Sequence, residues 1–386
     1  MKSLLLACST MTILAATIIA PSLPKIQQGF QADVDITFAV TLVLTITSFF
    51  IALVSPLAGA LSDKFGRRPV LLISLFLYGL SGTAGLYVND VYPLIVSRVF
   101  LGTAIAGVMT SVTSLIADLF EGEEREKFLG WQATFIALGG FLFLSLGGIL
   151  ATINWRLPFG IYFLSWILLP FAYFWIEEPE CHKVEGPPPS EHYPLAHYGM
   201  ILVVAMIAMI IYYFLPTKLP FYFGNRLHFE PFETGFFLSA SVLSVAFSSS
   251  VYQYLHRVFS KPLLYFFTFL LIGVGMSLFA QVETIPFMLL AVCLIGLGFG
   301  LVIPNSTVWV TEIAPPKIRG RMVGGLTSCL FIGQFFSSLV GDPITRAFGY
   351  TGTFGLYGLA GLFSLILSAI LLSCIAVYKR WRPQQL

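Results

Sequence analysis

An arginine interrupts one of the long apolar segments of the sequence. Arg98, within residues 96–102 (VSRVFLG), is the one charged residue placed well inside a predicted membrane span. An ionisable side chain is costly in hydrocarbon unless it faces the interior of a helix bundle or is paired, so Arg98 is a candidate functional residue. The alternative is a long side chain that reaches water at the nearby membrane surface.

A cluster of charges beside a glycine and a proline is the second candidate. Residues 59–69 read GALSDKFGRRP. Gly66 permits a tight turn with a positive φ, and Asp63 can pair with Arg67 or face a helix N-terminus. The basic residues, Arg68 among them, would serve equally well as an anchor at the membrane surface.

The composition requires that these residues be held by membrane helices. Of the 386 residues, 57% are hydrophobic and 10% are charged, against about 25% charged residues in a soluble domain. In hydrocarbon a chain satisfies its own backbone hydrogen bonds as helices, and the alternation of a membrane β-barrel is absent. A net charge of +2 without any nucleic-acid-binding motif excludes binding to nucleic acid.

Twelve apolar segments reach the length of about 20 residues that a membrane span needs. Their ranges are 4–24, 36–61, 70–88, 92–118, 129–152, 157–176, 198–223, 233–255, 262–280, 285–312, 322–345 and 351–377. Scattered cysteines without a paired spacing and five histidines in or beside loops predict no metal site and no catalytic constellation. We therefore expect a membrane protein that is not an enzyme and has no cofactor.

The basic residues predict the orientation of the chain. With a cytoplasmic N-terminus, 15 of the 21 Lys and Arg residues fall in inner segments. Arg98 lies in a span, and five fall in outer segments: Lys25, Arg156, Lys218, Arg226 and Arg346. By the positive-inside rule, this is a multi-pass protein of the cytoplasmic (inner) membrane with both termini in the cytoplasm.

The two halves of the sequence resemble each other. Five residues of the first half, Gly102, Asp118, Arg125, Gly130 and Gly139, recur 194 positions later as Gly296, Glu312, Arg319, Gly324 and Gly333. We predict an all-α membrane protein of twelve transmembrane helices in two pseudo-symmetric six-helix bundles. Residues 1–176 form the first bundle, 177–197 a cytoplasmic linker, and 198–386 the second bundle with a short tail. Such parallel repeats are typical of transporters, whose substrate site lies between the halves.

The sequence of residues 59–69 resembles the loop between helices 2 and 3 of the major facilitator superfamily, and the resemblance extends over the whole chain. A weaker copy of this loop, LHRVFSKP, occupies residues 255–262 between spans 8 and 9. The resemblance implies a conformational switch and charge relay formed by Asp63, Gly66, Arg67, Arg68 and Asp118.

Arg98 is similar to an arginine of helix 4 in the drug:proton antiporter branch of this family, which implies a role in proton coupling. Two departures weaken the antiporter interpretation. Span 5 has Gly139-Gly140 where the antiporter motif has Gly-Pro, so its glycines are equally explained by helix packing. Span 1 lacks the acidic residue that many exporters of cationic drugs carry.

The resemblance also implies a central substrate cavity lined by polar and aromatic residues. The candidates are Thr17, Gln132, Tyr213, Asn305, Trp309 and Gln334. Each of them is alternatively an interhelical hydrogen-bonding residue or part of an aromatic belt at the membrane surface.

The function predicted from the sequence is export of a small amphiphilic, drug-like compound by alternating access, coupled to protons. We expect a monomer in a lipid bilayer, with a small-molecule substrate and protons as its partners. Arg98 without an opposing deep carboxylate motivates an alternative, an exporter of an anionic metabolite such as a carboxylate siderophore or organic acid. A non-transporting sensor of the same fold would need a long soluble extension, and the tail from Tyr378 is short.

Overall fold

The computed structural model describes residues 2–30, 36–120, 122–178, 195–315, 318–348 and 352–381. Within those ranges the regular structure is entirely helical. The α-helices are numbered here in chain order: α1 (Lys2–Thr17), α2 (Leu23–Gly29), α3 (Ile36–Phe65), α4 (Arg67–Gly82), α5 (Val91–Leu119), α6 (Gly122–Ile153), α7 (Leu164–Trp175), α8 (Leu195–Arg226), α9 (Pro231–Val258), α10 (Lys261–Phe279), α11 (Ile285–Phe299), α12 (Val302–Ile313), α13 (Arg319–Phe348) and α14 (Gly352–Trp381). Short 3₁₀ helices occupy Ala20–Ser22, Thr83–Leu86 and Leu157–Phe163.

In the described part of the chain, eleven helical segments are long and apolar enough to cross a membrane, and they fall at the predicted spans 2 to 12. The remaining span, at the start of the chain, is divided between α1 and α2, and its apolar part Lys2–Leu14 is shorter. The predicted fold, all-α with twelve transmembrane helices in two pseudo-symmetric six-helix bundles, is confirmed.

Two spans are broken at a fixed distance before a proline. Helix α1 ends at Thr17, four residues before Pro21, and α11 gives way to α12 at Gly300, four residues before Pro304. Proline lacks the N–H that would bond the carbonyl four residues earlier, and its ring clashes with that carbonyl. In spans 1 and 10 the α-helix is thus interrupted one turn before a proline, whereas α3, α7, α8 and α13 each continue through a proline.

Glycines pack spans 2 and 4 closely, and the second half repeats this packing. A Cβ atom on Gly102 of α5 would lie 2.5 Å from the Thr47 carbonyl oxygen of α3, so only glycine fits. A Cβ atom on Gly296 of α11 would likewise collide with the Ser241 carbonyl oxygen of α9. The two contacted residues, Thr47 and Ser241, are 194 positions apart, as are the two glycines. The internal repeat is thus a repeat of three-dimensional contacts as well as of sequence.

The chain divides into two compact units whose boundaries differ from those predicted from the sequence. The first unit comprises residues 1–187, 216–239 and 334–338, and the second comprises 188–215, 240–333 and 339–386. The second part of α8, from residue 216, and the beginning of α9 thus group with the first half of the sequence. The domain ranges 1–176, 177–197 and 198–386 stay a prediction, and most of the linker lies outside the described residues.

Candidate functional site

Arg67, next to the loop between α3 and α4, connects three helices. Its guanidinium donates to the Asp63 carboxylate at the end of α3, and its Nε donates to Asp118 Oδ2 near the end of α5 at 3.1 Å. Only 15% of the Arg67 side chain is exposed, and 35% of the Asp118 side chain. One arginine therefore bridges the ends of spans 2 and 4 from the start of span 3. These three residues are called the Arg67 cluster below.

Gly66 adopts the conformation that the sequence predicts. Its φ is 101°, in a region that side chains rarely occupy, and it immediately precedes the first residue of α4. This conformation turns the chain sharply from α3 into α4. The neighbouring Arg68 donates to the carbonyl oxygen of Tyr173 in α7 and lies over the ring of the same tyrosine. Of the two alternatives for Asp63, a pair with Arg67 or a position facing a helix N-terminus, the structure contains the pair with Arg67. The switching role of these residues stays a prediction.

The corresponding loop of the second half contains one ion pair. Lys261 at the start of α10 pairs with Glu312 near the end of α12, and these residues occupy the positions of Arg67 and Asp118 shifted by 194. The pair is more open to solvent, with 24% of the lysine and 56% of the glutamate side chain exposed. Arg257 stands where the repeat places the counterpart of Asp63. Lys261 and Glu312 are called the Lys261 pair below.

Asn305 and Trp309, two of the predicted cavity residues, lie beside the Lys261 pair. Asn305 is fully buried, and its Nδ2 donates to the Lys261 carbonyl oxygen at 3.1 Å. The ring of Trp309 lies 5.9 Å from the ring of Tyr265. In the described structure Asn305 therefore anchors the start of α10, which is the interhelical role that the sequence left open.

Arg98 is completely buried within the first unit, among spans 3, 4 and 6. Its Nη2 donates to the carbonyl oxygens of Ser81 at 3.1 Å and Gly82 at 2.9 Å, the last two residues of α4. The rings of Phe159 and Tyr162 lie 5.2 and 5.3 Å from its guanidinium carbon. The last carbonyls of a helix have no partner within the helix and attract a cation, and aromatic faces do so too.

Among the described residues no carboxylate pairs with Arg98; carbonyl oxygens and Ser97 Oγ accept from its Nη2 and Nε, and its Nη1 is buried without a hydrogen-bond partner. Hydrogen bonds from a charged donor contribute about 1.5–3 kcal/mol each, so two carbonyls offset a substantial part of the cost of burial. The alternative of a side chain that reaches water is wrong, because Arg98 has no exposed surface. Its role in coupling stays a prediction.

The remaining cavity candidates have partners on neighbouring helices or on their own helix. Thr17 Oγ1 donates to the Ile13 carbonyl oxygen at 2.9 Å. Gln132 Nε2 donates to Ser9 Oγ at 3.1 Å, and Gln334 Oε1 accepts from Ser48 Oγ at 2.7 Å. Thr17, Gln132 and Gln334 belong to the first unit, whereas buried Tyr213 belongs to the second with Asn305 and Trp309. A cavity common to all six residues stays a prediction.

The structure differs from the sequence prediction at Lys218 and adds a contact of Glu178 that was not predicted. Lys218 was assigned to an outer segment, yet it lies within α8, eight residues before its end, and only 3% of it is exposed. Arg98 is therefore not the one charge inside a span. Glu178, just after α7, accepts hydrogen bonds from the backbone N–H groups of Arg67 and Arg68. The apolar sequence around Lys218 signalled its burial, whereas nothing local signalled the contact of Glu178.

A family model for the Major Facilitator Superfamily matches residues 5–280 and 200–384. Among characterised relatives, "Quinolone resistance protein NorA" of Staphylococcus aureus is 23% identical over 308 residues, which cover 76% of this chain and 77% of that protein. "Bacillibactin exporter" of Bacillus subtilis (strain 168) is 33% identical over 153 residues, 38% of this chain and 37% of that protein.

The fold is similar to that of solved transporter structures. The crystal structure of a D-xylose-proton symporter superposes with a TM-score of 0.75 at 15% sequence identity and covers 96% of each chain. Since the identity is low, this likeness establishes the fold alone. The family match and the structural match both extend over nearly the whole chain.

Proposed function

Because this chain belongs to the Major Facilitator Superfamily, we propose that it exports a small amphiphilic, drug-like compound by alternating access, driven by the proton gradient. Membership makes it a transporter of a small molecule in a membrane, and not an enzyme. The proposal adds the direction, the substrate class, proton coupling, a monomeric state, the cytoplasmic membrane and two cytoplasmic termini.

The Arg67 cluster is the observation that carries this proposal. Transport by alternating access needs contacts that hold one conformation and yet are broken within a transport cycle. A partly exposed arginine shared by Asp63 and Asp118 fits this need, because water can replace its partners when they separate. The name of the quinolone resistance protein, which matches most of the chain, favours export of an amphiphilic compound.

Proton coupling is assigned to Arg98 within this proposal. The residue is fully buried, and it donates to two carbonyl oxygens at the end of α4 and to Ser97 Oγ. A proton or substrate charge arriving nearby would change the balance between the buried guanidinium and these carbonyls, and so favour one arrangement of spans 3, 4 and 6.

A second candidate is export of an anionic metabolite, and the buried charges favour it. Arg98 and Lys218 are buried, whereas none of the Asp and Glu residues whose surroundings the structure describes is buried. An interior with this sign of charge is suited to an anion. The bacillibactin exporter, which is similar over part of the chain, has a siderophore in its name.

Transport into everted membrane vesicles tests the proposal and separates the candidates. Vesicles with an imposed proton gradient are given ethidium, a cationic amphiphile, or carboxyfluorescein, an anion, and membranes without the protein serve as the blank. Uptake of ethidium that stops when nigericin collapses the pH gradient supports proton-coupled drug export. Uptake that is indifferent to nigericin contradicts coupling, and uptake of carboxyfluorescein alone replaces the first candidate with the second.

Arg98 variants give the matched control for coupling. Arg98→Lys keeps the charge but loses the planar fork that reaches two carbonyls, whereas Arg98→Gln loses the charge. We expect both to lower gradient-driven uptake, Arg98→Gln more strongly, with equal protein in the membrane. Gradient-driven uptake by Arg98→Gln at the parent rate would remove Arg98 from the coupling mechanism.

A further inference from the structure

The carboxylate of Glu178 binds the backbone at the beginning of span 3. Its Oε1 accepts from the backbone N–H of Arg67 at 2.5 Å, and its Oε2 accepts from the N–H of Arg68 at 2.8 Å. These are the first two residues of α4. The first N–H groups of a helix have no partner within the helix, and they carry the positive end of its dipole. One carboxylate thus satisfies two of them at once.

Gly66 makes room for this carboxylate. A Cβ atom on Gly66 would lie 2.7 Å from Glu178 Oε1 and 2.8 Å from the carboxylate carbon. Gly66 is therefore required for two reasons, its positive φ and the close approach of Glu178. The glycine of the loop signature and a carboxylate 112 positions further along the chain form one structure.

A second contact ties the same two spans together. Arg68, whose N–H bonds Glu178, directs its guanidinium to the carbonyl oxygen of Tyr173 near the end of α7. Arg67, the other N–H donor to Glu178, directs its side chain to Asp63 and Asp118. Glu178 therefore binds the backbone of Arg67, and the side chain of Arg67 is the centre of the Arg67 cluster.

We propose that Glu178 is a positioning residue of the transport cycle: it fixes the start of α4 so that Arg67 reaches Asp63 and Asp118 together. It contacts no substrate in this account and acts through Arg67. Because the Arg67 cluster joins spans 2, 3 and 4, Glu178 adds the end of span 6 to the group of helices that moves as one. This inference deepens the proposed transport function and rests on it for its effect on rate.

Hydrogen exchange measured by mass spectrometry on the purified full-length protein tests the contact without a substrate. The variants are Glu178→Gln, which loses the charge, and Glu178→Asp, which keeps it on a shorter side chain. Glu177→Gln is the matched control on the adjacent exposed carboxylate. We expect exchange at the amides of residues 67 and 68 to rise about tenfold in Glu178→Gln, less in Glu178→Asp, and not in the control.

Exchange at residues 62–66 and 116–120 distinguishes a positioning role from a local cap. If Glu178 positions Arg67, these segments also exchange faster in Glu178→Gln, because Asp63 and Asp118 lose their common partner. Faster exchange confined to residues 67 and 68 would overturn the positioning role, and unchanged exchange at those amides would overturn the contact itself.

Ethidium uptake into vesicles measures how the Glu178 variants change the rate of transport. We expect the maximal rate in Glu178→Gln to fall about tenfold at an unchanged KM, with partial rescue in Glu178→Asp and none of this in Glu177→Gln. A parent rate at parent KM would overturn the role in the cycle. If the parent protein itself carries no ethidium, the export proposal fails for this probe, whereas the exchange at 62–66 and 116–120 still decides the positioning role.

Discussion

The Arg67 cluster and the Lys261 pair occupy equivalent places in the two repeats, and they differ in charge and in exposure. Arg67 binds two carboxylates and is 15% exposed, whereas Lys261 binds one carboxylate and is 24% exposed. The repeat keeps a cation at the start of the third span and a carboxylate at the end of the fourth. What it does not keep is the carboxylate at position 63, where the second half has Arg257.

The backbone conformation before the cation also differs between the two repeats. Gly66 has φ 101° before α4, but its counterpart Ser260 has φ −69° and ψ 152° before α10, an ordinary extended conformation. Glu178 holds the start of α4 through its backbone N–H groups, whereas Asn305 holds the start of α10 through the Lys261 carbonyl. The first copy is therefore a charged junction that includes a glycine turn, whereas the start of α10 in the second copy is held by an amide side chain.

Arg67→Ala against Lys261→Ala is the comparison with the largest expected effect. Removing Arg67 leaves two carboxylates without their common partner, and a charged hydrogen bond contributes about 1.5–3 kcal/mol. We expect the maximal rate of vesicle uptake to fall roughly 30-fold in Arg67→Ala and about threefold in Lys261→Ala. Equal losses of the uptake rate in the two variants, at equal protein levels, would contradict a functional difference between the Arg67 cluster and the Lys261 pair.

The next largest difference is expected in stability, between Gly66→Ala and Ser260→Ala. Alanine at position 66 meets both the unfavourable φ and the Glu178 carboxylate, which costs about 1–3 kcal/mol of stability. Ser260 has an ordinary conformation and makes no side-chain cap, so its substitution is expected to cost less than about 0.5 kcal/mol. Thermal unfolding of the purified variants measures this, and a Tm for Gly66→Ala within one degree of the parent's would contradict the geometry described for the turn.

Glu312→Gln is expected to have the smallest effect. The Glu312 side chain is 56% exposed, and exposed ion pairs contribute about 0–1 kcal/mol. The expected uptake rate lies within twofold of the parent rate, and Asp118→Asn serves as the matched variant with a larger loss. A loss in Glu312→Gln as large as that in Asp118→Asn would mean that the second copy shares the switching role.

Hydropathy and local spacing predict the spans and the turn at Gly66 because both depend on nearby residues. The twelve spans follow from apolar length, and the contact between Asp63 and Arg67 joins residues one helical turn apart. The breaks after Thr17 and at Gly300 each lie four residues before a proline, but four other helices contain a proline without a break, so proline alone did not mark them.

Tertiary packing decides what the sequence left out. Glu178 meets Arg67 across 111 positions, and no local pattern specifies that pairing. Lys218 was assigned to an outer segment, although position 218 lies within the predicted span 198–223 and only 3% of the residue is exposed. Arg98 was recognised as unusual, but the two acceptors of its Nη2 are backbone carbonyls, which any sequence supplies and no motif marks.

The central claim is that Arg67 joins the ends of spans 2 and 4 and that this junction sets the rate of transport. A double-mutant cycle on Arg67→Gln and Asp118→Asn, read as the maximal rate of vesicle uptake, tests it most directly. The prediction is that the double variant is no slower than Arg67→Gln alone, with a coupling of about tenfold between the two positions. Losses that multiply, as for independent residues, would contradict the claim.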